Sequence, residues 1–288
     1  MLKEIINFII HLRLHYQFFI LSGGYLLAAL FVGEVNWSQF WMQFLNVHVL
    51  LFGGATAYNS WWDKDEGPIG GLKSPPKMQR WMWLVSIGIQ FIGLIWAYTI
   101  GWNFAIIYAI SMLFFWLYSS PVARWKGKPL LSLIAIGVST GTNSFLLGFL
   151  AAGGYPITFF EDAIAVGVAL VLLSIYPVSQ VFQTEEDAAR GDQTFAVRFG
   201  LIGVKRLFAI LFPIGSAILG WGLYLQSLTI GYLFIGVNIL AYMGLSVFVW
   251  KLEGKPDEYP TVMKIKFLAS FSFVIFILAC IGYQTFWL

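Results

Sequence analysis

Two short acidic clusters stand out in a sequence that otherwise carries little charge. The first, NSWWDKDEG, places Asp63 four residues after Asn59, and the second, QTEEDAARGD, places Asp187 four residues after Gln183. Side chains four residues apart share one face of a helix. Each cluster can therefore present a pair of oxygen atoms, which are the ligands that Mg²⁺ takes, commonly together with the phosphates of a substrate.

Basic side chains accompany these clusters and also fill a third segment, YSSPVARWKGKP. Carboxylates, a divalent cation and basic side chains together are typical of a site that binds phosphate or diphosphate. A plainer interpretation remains for any one segment, because basic cytoplasmic loops are general in membrane proteins. Acidic residues contribute little to topology, so the acidic clusters favour a site more strongly. The basic residues in question are Lys73, Lys77, Arg80, Arg124, Lys126, Lys128, Arg190 and Arg198.

The composition indicates that a membrane surrounds the elements that position these clusters. Of the 288 residues, 59% are hydrophobic and 11% are charged, and the mean hydropathy is +0.78. Soluble domains carry about 25% charged residues. This excludes a soluble globular protein and predicts a chain embedded in lipid. The single cysteine, Cys280, excludes a disulfide within the chain.

Long runs without Asp, Glu, Lys or Arg predict the membrane spans. A spanning helix needs about 20 residues, and the two longest runs are each about twice that length. Both have a break near the middle, at 101–103 and at 226–231. Splitting them predicts an all-α polytopic membrane protein, a single domain over 1–288 with nine transmembrane helices around a central cavity. The runs are 14–33, 35–62, 81–123, 129–160, 163–184, 207–250 and 267–288.

The distribution of charge predicts the orientation. With nine helices, all 17 Lys and Arg fall on one side of the membrane, and the opposite loops hold only Glu34, Glu161 and Asp162. Basic loops face the cytoplasm. The N-terminus and the loops with the acidic clusters are therefore predicted to be cytoplasmic, and the C-terminus to lie outside.

In motif content and order, the sequence resembles the UbiA superfamily of intramembrane prenyltransferases. The superfamily's first motif, Asn-Asp-x-x-Asp-x-x-x-Asp, is matched by Asn59 and Asp63. Its Tyr-Ser-x-Pro stretch is matched by Tyr118, Ser119 and Pro121, and Tyr176 suits a tyrosine on the helix that leads to the second motif. The second motif, Asp-x-x-x-Asp with a Gly and a Thr-x-Ala-Val-Arg-x-Gly-like tail, is matched by Asp187, Gly191, Thr194, Ala196, Arg198 and Gly200.

Three positions depart from the superfamily pattern. Ser60, Gly67 and Gln183 stand where the motifs have aspartates. Asp65 and Glu66 can replace the aspartate missing at Gly67, and Glu185 or Glu186 can replace the aspartate missing at Gln183. The departures leave open whether one or two Mg²⁺ bind. The metal ligands that the resemblance implies are Asn59, Asp63, Asp65, Glu66, Gln183, Glu186 and Asp187.

The resemblance also implies a mechanism. A polyprenyl diphosphate would be bound through Mg²⁺ and ionised to an allylic cation, which aromatic faces can stabilise. The loop 63–80, with Gly67, Gly70 and Gly71, would close over the site. Tyr58, Trp61 and Trp62 are further candidates for stabilising this cation. The implied catalytic residues are Asn59, Asp63, Asp187, Tyr118 and Tyr176. The implied substrate-binding residues are Lys73, Lys77, Arg124, Lys126, Arg190, Arg198 and Gln180.

Three functions are consistent with these features. The first is Mg²⁺-dependent transfer of the polyprenyl group to a lipophilic, aromatic or quinone-like acceptor in the membrane. No nucleic-acid partner is expected. The second is cyclisation of the prenyl chain without an acceptor. The third is a transporter or a non-catalytic membrane protein. Transporter sites usually lie near the bilayer midplane, whereas these acids gather at one rim, which favours an enzyme.

Overall fold

The computed structural model describes residues 2–64, 70–72 and 74–287, and this part of the chain is helical, without a β-strand. The α-helices of the described residues are α1 Leu2–His11, α2 Leu14–Tyr16, α3 Gly23–Leu27, α4 Trp37–Leu45, α5 Gly54–Asp63, α6 Arg80–Tyr98, α7 Trp102–Ser119, α8 Pro129–Ile136, α9 Asn143–Ala151, α10 Phe159–Ile175, α11 Thr184–Ala189, α12 Phe195–Gln226, α13 Leu228–Lys251 and α14 Tyr259–Trp287.

Several of these helices continue into wider or narrower turns. π-Helical segments follow α2 and join α4 to α5 and α8 to α9: Gln17–Leu21, Asn46–Gly53 and Gly137–Thr142. Segments of 3₁₀ helix follow α3, precede α8, join α10 to α11 and precede α14: Ala28–Phe31, Trp125–Gly127, Pro177–Gln183 and Pro256–Glu258. Both acidic clusters therefore lie close to irregular helical turns, which are frequent at functional sites.

The all-helical prediction is confirmed, but the count of nine spans is not. By length and apolar composition, seven helical stretches of the described chain can cross a membrane, or eight if a pair bent by 43°, Leu2–Leu21 and Gly23–Phe31, is one span. The seven are Arg80–Tyr98, Trp102–Ser119, Pro129–Ala151, Phe159–Ala189, Phe195–Gln226, Leu228–Lys251 and Pro256–Thr285. The predicted run 35–62 is also helical, through α4, Asn46–Gly53 and α5.

The two longest apolar runs are interrupted where the sequence predicts a break. Gly101 separates α6 from α7 and has a φ of 142°, a conformation that favours glycine. Ser227 separates α12 from α13, and its side chain accepts a hydrogen bond from the backbone N–H of Ile230. Such a cap satisfies a backbone donor that the first turn of a helix leaves unpaired.

Buried polar side chains join the helices away from the acidic clusters. Asn46 donates to the carbonyl of Gly93 at 3.0 Å, and Asn143 donates to Ser111 Oγ at 2.9 Å. Trp116 Nε1 donates to Gln90 Oε1 at 3.3 Å. Hydrogen bonds of this kind hold helices together inside a bilayer, where lipid offers no polar partner.

Gly148 allows α3 and α9 to pack with their backbones in contact. A Cβ at this position would lie 2.3 Å from the carbonyl oxygen of Tyr25. Because a backbone oxygen cannot rotate away, we expect Gly148→Ala to force the helices apart and cost about 1–3 kcal/mol. The apparent melting temperature of the purified protein measures this loss.

Gly88→Ala in α6 is the matched control, because a Cβ there meets no atom within 4 Å. Alanine favours a helix over glycine by about 1 kcal/mol, so this variant should melt at the wild-type temperature or above it. Equal melting temperatures for the two variants would contradict the close packing of α3 on α9.

Candidate active site

The two acidic clusters meet at one cavity, of about 540 Å³. Asn59 and Asp63 reach it from the C-terminal end of α5, and Asp187 reaches it from α11. Gln183, the last residue of the 3₁₀ segment before α11, also lines it. The structure thus brings together the two oxygen pairs whose spacing first marked them in the sequence.

The first acidic cluster is tied to the segment YSSPVARWKGKP by hydrogen bonds. Asn59 Nδ2 donates to Asp63 Oδ2 at 2.7 Å, one helical turn away. Ser119 Oγ donates to Asn59 Oδ1 at 2.8 Å. Lys126 Nζ forms an ion pair with Asp63 Oδ1, and both of these side chains are largely buried. A carboxylate held by an amide on one oxygen and an ammonium on the other has a fixed orientation.

The second acidic cluster is also surrounded by polar and charged groups. Asp187 is partly buried and interacts with the Thr194 side chain and with the charges of Lys126 and Arg190. Lys126 therefore acts on both Asp63 and Asp187. The two acids share one electrostatic environment, as a site for a divalent cation or a diphosphate requires.

A second ion pair fixes the loops beside the cavity. The Arg124 guanidinium binds the buried carboxylate of Asp192 through two hydrogen bonds, each 2.7 Å long. This pairing raises the pKa of Arg124. Gly127 lies against the same carboxylate, since a Cβ there would be 2.4 Å from Asp192 Oδ1. Asp192 lines the cavity, so Arg124 acts on the site through it.

Two tyrosines from different helices meet on the cavity wall. The hydroxyl oxygens of Tyr118, near the end of α7, and Tyr176, just after α10, lie 3.0 Å apart. Both tyrosines line the cavity, as does Gln180. Gln180 Oε1 accepts a hydrogen bond from the backbone N–H of Ala196 at 3.4 Å.

Other predicted site residues lie away from the cavity. Lys77 and Arg198 are exposed and do not line it. Glu186 is exposed, because its side chain leaves α11 about 100° around the helix from that of Asp187. It forms an ion pair with Arg190, four residues further on. These placements differ from the predicted binding roles. Asp65, Glu66, Gly67 and Lys73 lie outside the described residues.

The aromatic side chains next to Asn59 also differ from the prediction. Tyr58 stacks on Trp116 with ring centres 6.0 Å apart, and Trp61 stacks on Trp83 at 6.1 Å. Trp62 meets Trp83 edge to face. None of Tyr58, Trp61 and Trp62 is among the described residues that line the cavity. They pack helix against helix, whereas Tyr118 and Tyr176 face the cavity.

Residues from the first helical turns and from α14, which no sequence motif singles out, complete the cavity. Arg13 is buried, has a φ of 49°, and donates from Nη2 to Ser60 Oγ at 2.9 Å. Tyr16 and Lys266 line the cavity beside it. The sequence feature that could have identified Lys266 is its position in a long apolar helix, because an ionisable residue within a membrane span is a candidate functional group.

The donor set around the cavity suits a hard cation. Asp63 and Asp187 offer carboxylates, and Asn59 and Gln183 offer amide oxygens, which is the ligand chemistry of Mg²⁺. Within the described ranges, no three His, Cys, Asp or Glu side chains form a metal-binding group. Mg²⁺ commonly completes its shell with waters and substrate phosphates, so a few protein oxygens suffice.

Comparison with known proteins assigns the chain to a family. A model of the UbiA prenyltransferase family matches residues 18–271. No curated protein sequence matches the chain. The family match spans both acidic clusters and the Tyr118 segment.

Solved structures share the fold across almost their whole length. A UbiA homologue from Archaeoglobus fulgidus bound to DMAPP and Mg²⁺ is 18% identical, with a TM-score of 0.74 over 96% of this chain and 99% of that chain. The same homologue bound to GPP and Mg²⁺ has a TM-score of 0.72 at 18% identity and the same coverage. A digeranylgeranylglyceryl phosphate synthase is 18% identical, with a TM-score of 0.67 over 97% of this chain and 99% of that chain.

Proposed function

Since the chain belongs to the UbiA prenyltransferase family, we propose that it transfers a prenyl group from a prenyl diphosphate to a lipophilic acceptor inside the membrane. It is an integral membrane protein, and we assign the charged end of the cavity to the cytoplasmic side, where the basic residues gather. The observation that carries the proposal is one cavity with both acidic clusters at its polar end.

Most of the other residues that line this cavity are apolar, and they suit a hydrocarbon chain. Phe52, Val168, Leu219, Phe273 and Phe276 contribute to its lining. A prenyl diphosphate has the same division into a charged head and an apolar tail. Its tail can be buried among these side chains, away from water, which is favourable for apolar surface. Its head can form charge-assisted hydrogen bonds at the polar end.

The residues at the polar end would have two roles in the ionisation of the prenyl diphosphate. Asn59, Asp63, Gln183 and Asp187 would hold Mg²⁺, which when bound supplies Lewis-acid stabilisation of the leaving diphosphate. Lys126 and Arg190 are placed to bind diphosphate oxygens as the C1–O bond breaks and both electrons leave with the oxygen.

Tyr118 and Tyr176 are placed to meet the allylic cation that remains. Their ring faces can stabilise positive charge, and the apolar lining keeps out water that would capture it. The nucleophilic atom of the acceptor then bonds to C1 and releases its proton. An aromatic or quinone-like ring is the acceptor that we propose.

The test of this function is diphosphate release from geranyl, farnesyl and geranylgeranyl diphosphate by the protein in nanodiscs. We expect release with Mg²⁺, loss of release on adding EDTA, and recovery on adding excess Mg²⁺, because without the cation the two carboxylates repel the anionic diphosphate instead of helping to hold it. Release is measured by phosphate colorimetry on stopped samples that are treated with pyrophosphatase in excess Mg²⁺. Absence of release from all three substrates, in the presence of aromatic acceptors, would refute the proposal.

The products of the same incubation separate transfer from cyclisation. A hydrocarbon product formed without an acceptor would identify a cyclase. We expect instead that release becomes faster when an acceptor is present and that the prenyl group is recovered on that acceptor by mass spectrometry.

A further inference from the structure

The first helix, α1, turns its large apolar side chains away from the protein. Its outer face is exposed, with exposed fractions between 37% and 73%, and consists of Leu2, Ile5, Ile6, Ile9 and Ile10. Its inner face is buried or half-buried and consists of Glu4, Asn7, Phe8 and His11. Both sets repeat every three or four residues, as the two sides of one helix do. Only Lys3, at the border between the faces, is both polar and exposed in α1.

The inner face of α1 lies along the segment 76–79, which precedes α6. Glu4 Oε1 accepts a hydrogen bond from Gln79 Nε2 at 2.8 Å, and His11 Nε2 donates to the carbonyl oxygen of Pro76 at 2.7 Å. About 10 Å of helix separates Glu4 from His11, and three residues of extended chain can span about 10 Å. The polar groups at both ends of the inner face therefore have protein partners, and the outer face is left for the surroundings.

The pairing of α1 with the segment 76–79 indicates that α1 lies along the membrane surface. The two are antiparallel, since the start of α1 meets the end of the segment. Each enters the bilayer at its own C-terminal end, because the segment leads into α6 and α1 leads into the predicted span 14–33. These ends are at opposite ends of the contact. A steep tilt would therefore carry one of the two away from the bilayer that it enters.

The span that follows α1 is long enough without it. The helical stretch from α2 to Phe31 covers about 27 Å at 1.5 Å per residue, close to the thickness of the hydrocarbon core, about 30 Å. Arg13, with a φ of 49°, separates α1 from α2. A residue in the left-handed conformation interrupts a right-handed helix, so α1 has a direction of its own.

We propose that α1 binds the cytoplasmic surface of the bilayer, with its outer face between the lipid headgroups and the acyl chains. Such a face enters this boundary by about 5–10 Å, where lipid covers apolar surface that water would otherwise contact. Lipid is the partner that the position of α1 favours, because Phe8 packs against Trp81 in the first turn of α6, and α6 is a candidate membrane span. The inference does not depend on the reaction that the protein catalyses.

The lipid contact would support the polar end of the cavity. Thr56 lines the cavity, and its Oγ1 donates to the carbonyl of His11, the last residue of α1, at 3.3 Å. Arg13, two residues further on, also lines the cavity and donates to Ser60 Oγ. Through these bonds, α1 is tied to α5, which holds the first acidic cluster.

Nitroxide labels on single cysteines test the position of α1 in nanodiscs. Cys280, the only cysteine of the chain, is first replaced by serine. Labels are then placed at Ile6 and Ile9 of the outer face, at Ile92 in α6 as the lipid reference and at Ser74 as the water reference, since all four residues are exposed. Saturation measurements with oxygen, which concentrates in lipid, and with a water-soluble nickel chelate give the depth of each label.

We expect the labels at Ile6 and Ile9 to lie at a depth of about 5–10 Å, between the two references. The inference is overturned if they are as open to the nickel chelate as the label at Ser74, which would place the outer face in water. It is also overturned if they are as deep as Ile92, which would make α1 part of a span, or if neither reagent reaches them, which would mean that protein covers the face.

A second experiment tests whether the lipid contact holds α1 against the segment 76–79. Ile6→Gln with Ile9→Gln weakens the outer face, and Ile6→Leu with Ile9→Leu is the control that keeps it apolar. Trypsin cleavage after Lys77, in nanodiscs, measures how often the segment leaves α1, because cleavage follows the population of the opened state. We expect the glutamine pair to be cleaved about tenfold faster than the wild type and the leucine pair at the wild-type rate. Equal cleavage of all three proteins would contradict the coupling of α1 to this segment.

Discussion

Asp187→Asn is expected to lower the rate of diphosphate release by about 10²–10³-fold, because Asp187 would hold the Mg²⁺ that stabilises the charge developing on the leaving oxygen. The substitution keeps the shape of the side chain but removes the charge that faces Lys126, Arg190 and the proposed Mg²⁺. Because the carboxylate is partly buried at the cavity, water cannot fully replace it. Steady-state release from geranyl diphosphate at saturating Mg²⁺ measures the loss.

Glu185→Gln is the control for this prediction. Glu185 belongs to the same acidic cluster but is exposed and does not line the cavity. Its variant should release diphosphate at a rate close to that of the wild type. If the two variants were equally impaired, the charge of the cluster as a whole would matter, and the placement of Asp187 at the cavity would not explain catalysis.

Lys126→Met is expected to impair both stability and catalysis. The ion pair with Asp63 is largely buried, and removing one partner of such a pair costs about 3 kcal/mol because the other charge is left without its counter-charge. The variant also lacks a cation that we place on the diphosphate, so release should fall by about 10²-fold. Melting temperature and diphosphate release measure the two effects independently.

The double variant Asp63→Asn with Lys126→Met separates the two effects. Its melting temperature should recover, since no unpaired carboxylate remains, but its activity should stay lost. Lys128→Met, which alters an exposed lysine two residues away, should affect neither quantity. Recovery of activity in the double variant would show that Lys126 and Asp63 act only on folding.

Features that depend on nearby residues could be predicted from the sequence. The break at Gly101 follows from a glycine and polar neighbours within a long apolar run. The hydrogen bond from Asn59 to Asp63 follows from a spacing of four residues on a helix. The meeting of Asp63 and Asp187 at one cavity could be expected only through the family resemblance, because no local pattern relates two helices so far apart in the chain.

The direction in which a side chain points from its helix, and the neighbour that it meets there, could not be predicted from the sequence. Glu186 and Asp187 are adjacent and equally acidic, yet only Asp187 lines the cavity. Trp61 lies among the aromatic side chains of the first cluster, but its ring stacks on Trp83. The contact of Lys266 with Tyr16 joins opposite ends of the chain, and single-sequence patterns contain no information on such a contact.

The direction of Asn59 and Asp63 depends on the π-helical turns Asn46–Gly53 that precede α5. A residue turns an α-helix by about 100° and a wider π turn by less, so deleting one residue from these turns would change the direction of both side chains. The shortened helix would keep its apolar composition and could still enter the bilayer. This stretch should therefore tolerate exchange of one apolar residue for another far better than it tolerates a change in length.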